Sequence, residues 1–227
     1  MAKYAFIPTR DKSTVNTELQ DYLTEAGFNV NFLIGKNNIF EAYEEACKPV
    51  MAKDTVVMCH DDIKILNSTE SFNAFLDKDL DKSSTGFVGV AGARVLNQSA
   101  MWWEGIQSTG SPNHSGFVWH GDDLNDMSMS FYGIPAGDVV VLDGLFLAAK
   151  GATLNSIQLK KPSFFEGDWD FYDIFYTFQA FKKGFRNKAI PLQILHSSVG
   201  NIEGKDSWHN NRKAFADYFV RELPTHV

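Results

Sequence analysis

Apolar and polar positions along this chain change period several times, and each change marks an element. Residues 3–9, "KYAFIPT", form a β-type run. Residues 13–27, "STVNTELQDYLTEAG", switch to helical spacing, with Val15, Leu19, Tyr22 and Leu23 on one face and Gly27 where a C-terminal cap falls. A second strand is predicted over 28–35 and a second amphipathic helix over 38–51, with Ile39, Tyr43, Ala46 and Val50 facing inward. Residues 54–62, "DTVVMCHDD", give a third strand that ends on charge, residues 68–80 a helix, and residues 85–96 another strand. This alternation predicts an α/β fold with a mostly parallel central sheet flanked by crossover helices.

The second half is less regular. Residues 97–137 are rich in Gly, Ser, Asn and Asp and hold no period, as expected of a functional or flexible stretch. Residues 138–154 restore a strand, residues 168–185 a helix closed by Gly184, residues 187–200 a strand running into a loop, and residues 207–223 a last helix. No repeat interrupts the 227 residues, so the reading is one domain, 1–227.

Composition narrows the function classes. A formal net charge of −7 without any basic stripe disfavours a large nucleic-acid footprint, although a small basic rim stays compatible with it. Cys47 and Cys59 lack paired spacing, which fits a reducing compartment. Neither a signal peptide nor an apolar run near 18 residues is present, so the expectation is a cytoplasmic protein without a membrane span. Aromatic residues reach 14%, enough to fill a core and still line a cleft. No G-x-G-x-x-G follows the first strand, which removes the Rossmann dehydrogenase reading.

Candidate chemistry gathers at "HDD", residues 60–62. Ligands in open α/β sheets collect beyond the C-terminal ends of the strands, and two carboxylates there repel unless a cation or donor groups neutralise them. A divalent cation carrying a diphosphate meets that need; a turn-starting Asp pair meets it as well. A second acidic group, Glu166, Asp168, Asp170 and Asp173, surrounds the start of the predicted helix, where the helix dipole alone favours acids.

The segments "VVMCHDDIKIL", "GKNNIFEAYEEA", "GFVGVAGARVL" with the following "WW", "VVVLDGLFLAAK" and "DFYDIFYTFQAFKKGFRNKAIPLQILHSSVG" together resemble family 2-like glycosyltransferases of the GT-A fold. They occur in the family's order over most of residues 3–200. The resemblance implies a Rossmann-like GT-A sheet with a smaller antiparallel portion toward the C-terminal half. It also implies a nucleotide-binding half over 1–96 and a donor-sugar and acceptor half over 97–227. The implied reaction moves a sugar from a nucleoside diphosphate sugar to an acceptor hydroxyl with inversion, assisted by Mn2+ or Mg2+.

Residue by residue, the same resemblance implies Asp62 and His196 as metal ligands, with Asp61 in the ribose or metal shell. His60 stands where the family has Asp and becomes a ribose or phosphate contact. Asp173 matches the catalytic base, with Asp170 and Asp168 as alternatives; Tyr172 replaces the family's neighbouring Glu, and Phe175 its second Asp. Pro8, Thr9 and Arg10 would face the nucleotide, Asn38 would reach the base or cap its helix, Trp103 would offer a sugar platform beside Trp102, and Asp143 would hydrogen-bond donor sugar or acceptor. Lys205, His209 and Arg212 would approach the diphosphate or stay solvated. The departures at His60 and Phe175 keep a second class open, an inactive nucleotide-sugar-binding module. The acceptor stays open among glycans, small molecules and modified nucleobases, and nothing in the sequence fixes an oligomeric state.

Overall fold

A computed structural model describes residues 1–198 and 206–227. The chain opens as predicted, with β1 (Lys3–Thr9), α1 (Thr17–Glu25), β2 (Asn29–Ile34), α2 (Ile39–Cys47) and β3 (Thr55–Cys59). Asn16 and Asn38 start the two helices, each side chain accepting the amide three residues on, at Leu19 and Glu41. The Asn16 cap places the start of α1 later than its periodicity suggested: Lys12–Thr14 is a short 3-10 turn, and Val15 lies outside the helix. Gly27 follows α1 at φ 89, a left-handed conformation suited to glycine.

Past β3 the chain makes a turn at His60–Asp62 and forms β4 (Ile63–Ile65), α3 (Thr69–Leu80), β5 (Thr85–Gly89), β6 (Ala91–Ala93) and β7 (Val95–Leu96). The single strand expected over 85–96 is therefore three, because the chain leaves one sheet after Gly89 and enters another at Ala91. The stretch expected to be irregular holds a hairpin, β8 (His114–His120) and β9 (Ser128–Phe131), with Phe117 opposite Phe131 and His120 opposite Ser128. Residues 138–154 divide into the end of β10 (Gly137–Val139), β11 (Val141–Leu142), β12 (Phe146–Lys150) and α4 (Gly151–Ser156). The chain finishes with α5 (Tyr172–Lys182), β13 (Arg186–Ala189), β14 (Ile194–His196), α6 (Asp206–Tyr218) and β15 (Thr225–His226).

The central sheet has the order β10-β13-β5-β12-β3-β1-β2. It is mixed: β2, β1 and β3 run parallel, as do β13 and β5, whereas β12 is antiparallel to both β3 and β5, and β10 to β13. A six-stranded second sheet, β11-β6-β8-β14-β4, carries the antiparallel portion, with β9 on β8. All five positions of β3 are buried, as are all five of β5, so both faces of the central sheet are covered. Most rings go to this core: Phe40 meets Tyr176 edge-on, and Phe72 meets Phe146 likewise. No helix among the described residues is long and apolar enough to cross a membrane.

Candidate active site

A strand buried along its whole length cannot carry charge, so the acids that follow Cys59 emerge only where β3 leaves the sheet. The His60 amide donates to the Leu145 carbonyl at 3.1 Å, and Asn16 holds the turn through the carbonyls of Asp61 and Ile63. β14 then pairs antiparallel with β4, setting His196 opposite Ile63. That register brings His196 Nε2 to 3.3 Å from Asp62 Oδ2, while His60 Nδ1 lies 3.7 Å from Asp62 Oδ1. One donor atom from each of His60, Asp62 and His196 falls within 4.8 Å of the others.

The electrostatics of this triad favour a cation. Burial works to raise the Asp62 carboxyl, but the hydrogen bond from His196 and the charges of His196 and His60 outweigh it and hold the group below its ordinary value. Burial pulls the His60 imidazole down, against the nearby charges of Asp62 and Asp143. Crowding by protein atoms is the cause, although 44% of that side chain stays accessible. Asp62 Oδ1 is buried and has no hydrogen-bond partner. A carboxylate set between two imidazoles, with one oxygen orphaned, fits a bound dication, since both residue types are metal ligands.

Next to the triad stands a carboxylate pair. Asp173 lies in the first turn of α5 and accepts the Gly144 amide at 2.8 Å through Oδ2. Tyr172, one residue earlier, donates to the Gly144 carbonyl at 3.1 Å. Asp143 precedes that glycine, and its Oδ1 accepts from Leu145 at 2.9 Å. Burial, then the charge of Asp143, push the Asp173 carboxyl up to about 7, overcoming backbone hydrogen bonds that favour its charged form. A carboxylate poised near neutrality has the pKa a general base needs.

A cleft of about 620 Å³ opens beside Asp61, beyond the ends of β1 and β2. Pro8, Thr9 and Arg10 line it, joined by Lys36, Asn37 and Trp169. Burial raises the Asp61 carboxyl, with the Thr9 hydroxyl opposing.

The sequence matches a family described as glycosyltransferase-like over residues 24–218, most of the chain. The chain belongs to this glycosyltransferase-like family. Its structure is similar to A197 from STIV, with a TM-score of 0.50 and 17% identity over 87% of this chain and 86% of that one. It is also similar to GalNAc-T7 in a structure with UDP, GalNAc and Mn2+, with a TM-score of 0.53 and 11% identity; the match covers 88% of this chain and 44% of GalNAc-T7. These likenesses show a GT-A-type fold. No curated protein sequence matches the chain. Membership of the family supports glycosyl transfer as the activity class.

Within this glycosyltransferase-like chain, the residues expected from sequence fall into two groups. Asp62, His196, His60, Asp143 and Asp173 converge, and Pro8, Thr9, Arg10 and Asp61 share the neighbouring cleft. The structure groups His60 with the metal-type donors, although its place in the sequence suggested a nucleotide contact. The others are occupied structurally. Asn38 caps α2 and donates from Nδ2 to Asp168 Oδ1 at 2.9 Å, and it does not line the cleft. Asp168 is further paired with Lys161 at 2.7 Å. Asp170 accepts from the Ser207 hydroxyl of α6. Glu166 accepts from Asn210. Trp103 packs edge-on against Trp102 and at 31° to Trp208, inside an aromatic cluster. Phe175, at the position of the family's second acid, is core. Arg212 donates to the Ser99 carbonyl, and the His209 ring stands edge-on to Trp208. Lys205 lies outside the described residues.

Two features escaped the sequence reading. Trp169 lines the cleft, and a tryptophan between two acids, "DWD", is the sequence signal for it. His120 also stands beside the triad, its ring 5.8 Å from that of His196 because β8 and β14 pair at those two residues.

Proposed function

We propose that this chain is an inverting glycosyltransferase that moves a sugar from a nucleoside diphosphate sugar to an acceptor hydroxyl. The observation that carries the reading is the meeting of the Asp143–Asp173 pair with the His60–Asp62–His196 triad, one residue along the chain from Asp61 of the nucleotide-sized cleft. Asp173 takes the acceptor hydroxyl's proton as general base. The Gly144 amide, donating to Oδ2 at 2.8 Å, fixes the orientation of that carboxylate. Asp143, immediately before that glycine, orients sugar or acceptor hydroxyls. Pro8, Thr9, Arg10 and Asp61 bind the nucleoside diphosphate in the cleft.

His60, Asp62 and His196 would hold a divalent cation, Mn2+ in preference to Mg2+, because imidazole donors suit transition metals better than magnesium. Bound there, the ion supplies Lewis-acid neutralisation of the diphosphate leaving group.

Donor hydrolysis and transfer across a panel of nucleoside diphosphate sugars, with Mn2+ present, tests the reading. Turnover lost in both Asp173→Asn and Asp62→Ala supports it. Nucleotide-sugar binding with no turnover on any acceptor would select the inactive module, which the core position of Phe175 favours.

A further inference from the structure

Trp169 is the one exposed tryptophan of the five in the chain, with 42% of its surface open to solvent. An exposed apolar side chain by itself means little. This one, however, is held in place on both sides. Before it, the Asp168 carbonyl accepts the Ile39 amide at 2.9 Å, and its carboxylate is bound by Asn38 and Lys161. After it, Asp170 is bound through its carboxylate by Ser207 and through its carbonyl by Asn211, at 3.0 Å for the latter. Three polar anchors on one flank and two on the other fix the backbone, yet the indole between them is left at the cleft wall. Among the described residues no aromatic ring stacks on it, whereas Trp102, Trp103 and Trp208 all pack against other rings.

The walls around it are polar and charged. Arg10 and Lys36, the latter ion-paired with Glu45 at 3.0 Å, supply positive charge, Asp61 and Asn37 supply hydrogen-bonding groups, and the cleft measures about 620 Å³. A cleft with cations for phosphate oxygens, a carboxylate for hydroxyls and one flat apolar face matches a nucleotide part by part. The flat face is the piece that neither the cations nor the carboxylate provides.

We propose that Trp169 is the stacking platform for the donor's nucleobase and so contributes most of the affinity that depends on the base. This rests on the reading of the cleft as the nucleotide site. Aromatic stacking tolerates any base, because each presents a π-face. Trp169 therefore sets affinity for nucleosides as a class, and the polar edges of the cleft choose among them.

The test uses the whole chain with Mn2+ and, as probes, UDP, GDP, ADP, CDP and inorganic diphosphate, by calorimetry and by tryptophan fluorescence. Removal of a stacked aromatic weakens a base by about 5-fold to about 150-fold. Trp169→Ala should lose that much affinity for the nucleotides the wild type binds, and none for inorganic diphosphate. Trp169→Phe should retain most of it. Nucleotide binding should quench the wild-type emission, and Trp169→Phe should abolish most of the quench. The fluorescence arm needs no truncated side chain, so it still decides the matter if Trp169→Ala folds poorly. Equal nucleotide affinity in wild type and Trp169→Ala, with no quench, overturns the role of Trp169 and leaves the proposed activity standing. Failure of the wild type to bind any nucleoside diphosphate overturns the proposed activity as well.

Discussion

Asp173 and Gly144 are joined by a 2.8 Å hydrogen bond from the glycine amide to the carboxylate, and Tyr172 closes the same glycine's carbonyl from the other side. Adjacent residues of one helical turn thus grip both backbone groups of a single residue 28 and 29 positions away. Glycine is required for this contact, since a Cβ there would lie 2.6 Å from the Tyr172 hydroxyl and 3.0 Å from Asp173 Cβ. Gly144→Ala should lower kcat by up to about 100-fold, the cost of displacing a reacting group by roughly an ångström. Tyr172→Phe, which frees the carbonyl and takes a neighbouring hydroxyl from the buried Tyr43, should lower it by about tenfold with an unchanged donor KM. Steady-state kinetics on both variants check the ordering, and a larger loss in Tyr172→Phe would refute the clamp.

The same burial that raises Asp173 to about 7 gives activity and stability opposite pH slopes. A base works only when ionised, so kcat/KM should fall about tenfold per unit below pH 7 and level off above it. For stability, the folded pKa stands above the unfolded value of 3.8, so the native state binds the extra proton between about 4 and about 7. That contribution is complete below the unfolded pKa and is lost as pH rises through 7, an effect on the order of a few kcal/mol at most. Asp173→Asn should abolish turnover and flatten this part of the stability curve. Denaturant melts across the range would show a flat wild-type curve if the group were not buried as described.

How far the sequence foretold this arrangement depends on the scale of the cause. The β-α-β-α-β opening follows from local periodicity and short-range caps, and Asn38 and Gly27 carried it plainly. The triad needed the β4–β14 register, a contact between residues more than a hundred positions apart, and only the family resemblance implied Asp62 and His196 as its members. His60 read as a departure from an acidic motif because sequence compares residue types, whereas the cleft only needs a donor atom in the right place. The late start of α5 was hidden for a different reason. Phe171 adopts φ 71, which a bulky residue rarely does, and it packs against nearby Phe165 and against Trp208 and Phe215 from a distant part of the chain. The β8–β9 hairpin escaped because a seven-residue, acid-rich loop separates its strands where a two-residue turn would have signalled it.

Two imidazoles and one carboxylate make a softer donor set than an all-carboxylate site. Mn2+ and Co2+ should therefore support more activity than Mg2+ at equal concentration, and His60→Asp should narrow the gap by exchanging a nitrogen donor for oxygen. Asp62→Ala should weaken Mn2+ binding by at least about 10-fold to 100-fold, the range seen even for residues that only support ligands. Calorimetry with Mn2+ and an activity series over the three ions check both statements. Equal activity with Mg2+ and Mn2+ in the wild type would contradict the assignment of His60.

Asn211 links the last helix to the loop that launches Asp173. It is fully buried, accepts the Gly167 amide at 2.9 Å, and donates to the carbonyls of Gly167 and Asp170 at 3.1 and 3.0 Å. Beside it, Trp208 and Phe215 pack on Phe171, the left-handed residue that begins α5. Asn211→Ala leaves the Gly167 amide and two carbonyls short of partners in a dry interior, which costs roughly 1–3 kcal/mol for each group that water cannot reach. The expected outcome is a melting temperature lowered by several degrees, together with a kcat loss exceeding any change in Mn2+ affinity, because the triad hangs from β3 and β14 and not from α6. Asn211→Asp preserves the acceptor for Gly167 but loses both donated bonds and buries a charge, so it should be the more damaging of the two. Equal loss of Mn2+ affinity and kcat in Asn211→Ala would mean that α6 supports the whole site, contrary to the separate anchoring of base and triad described here.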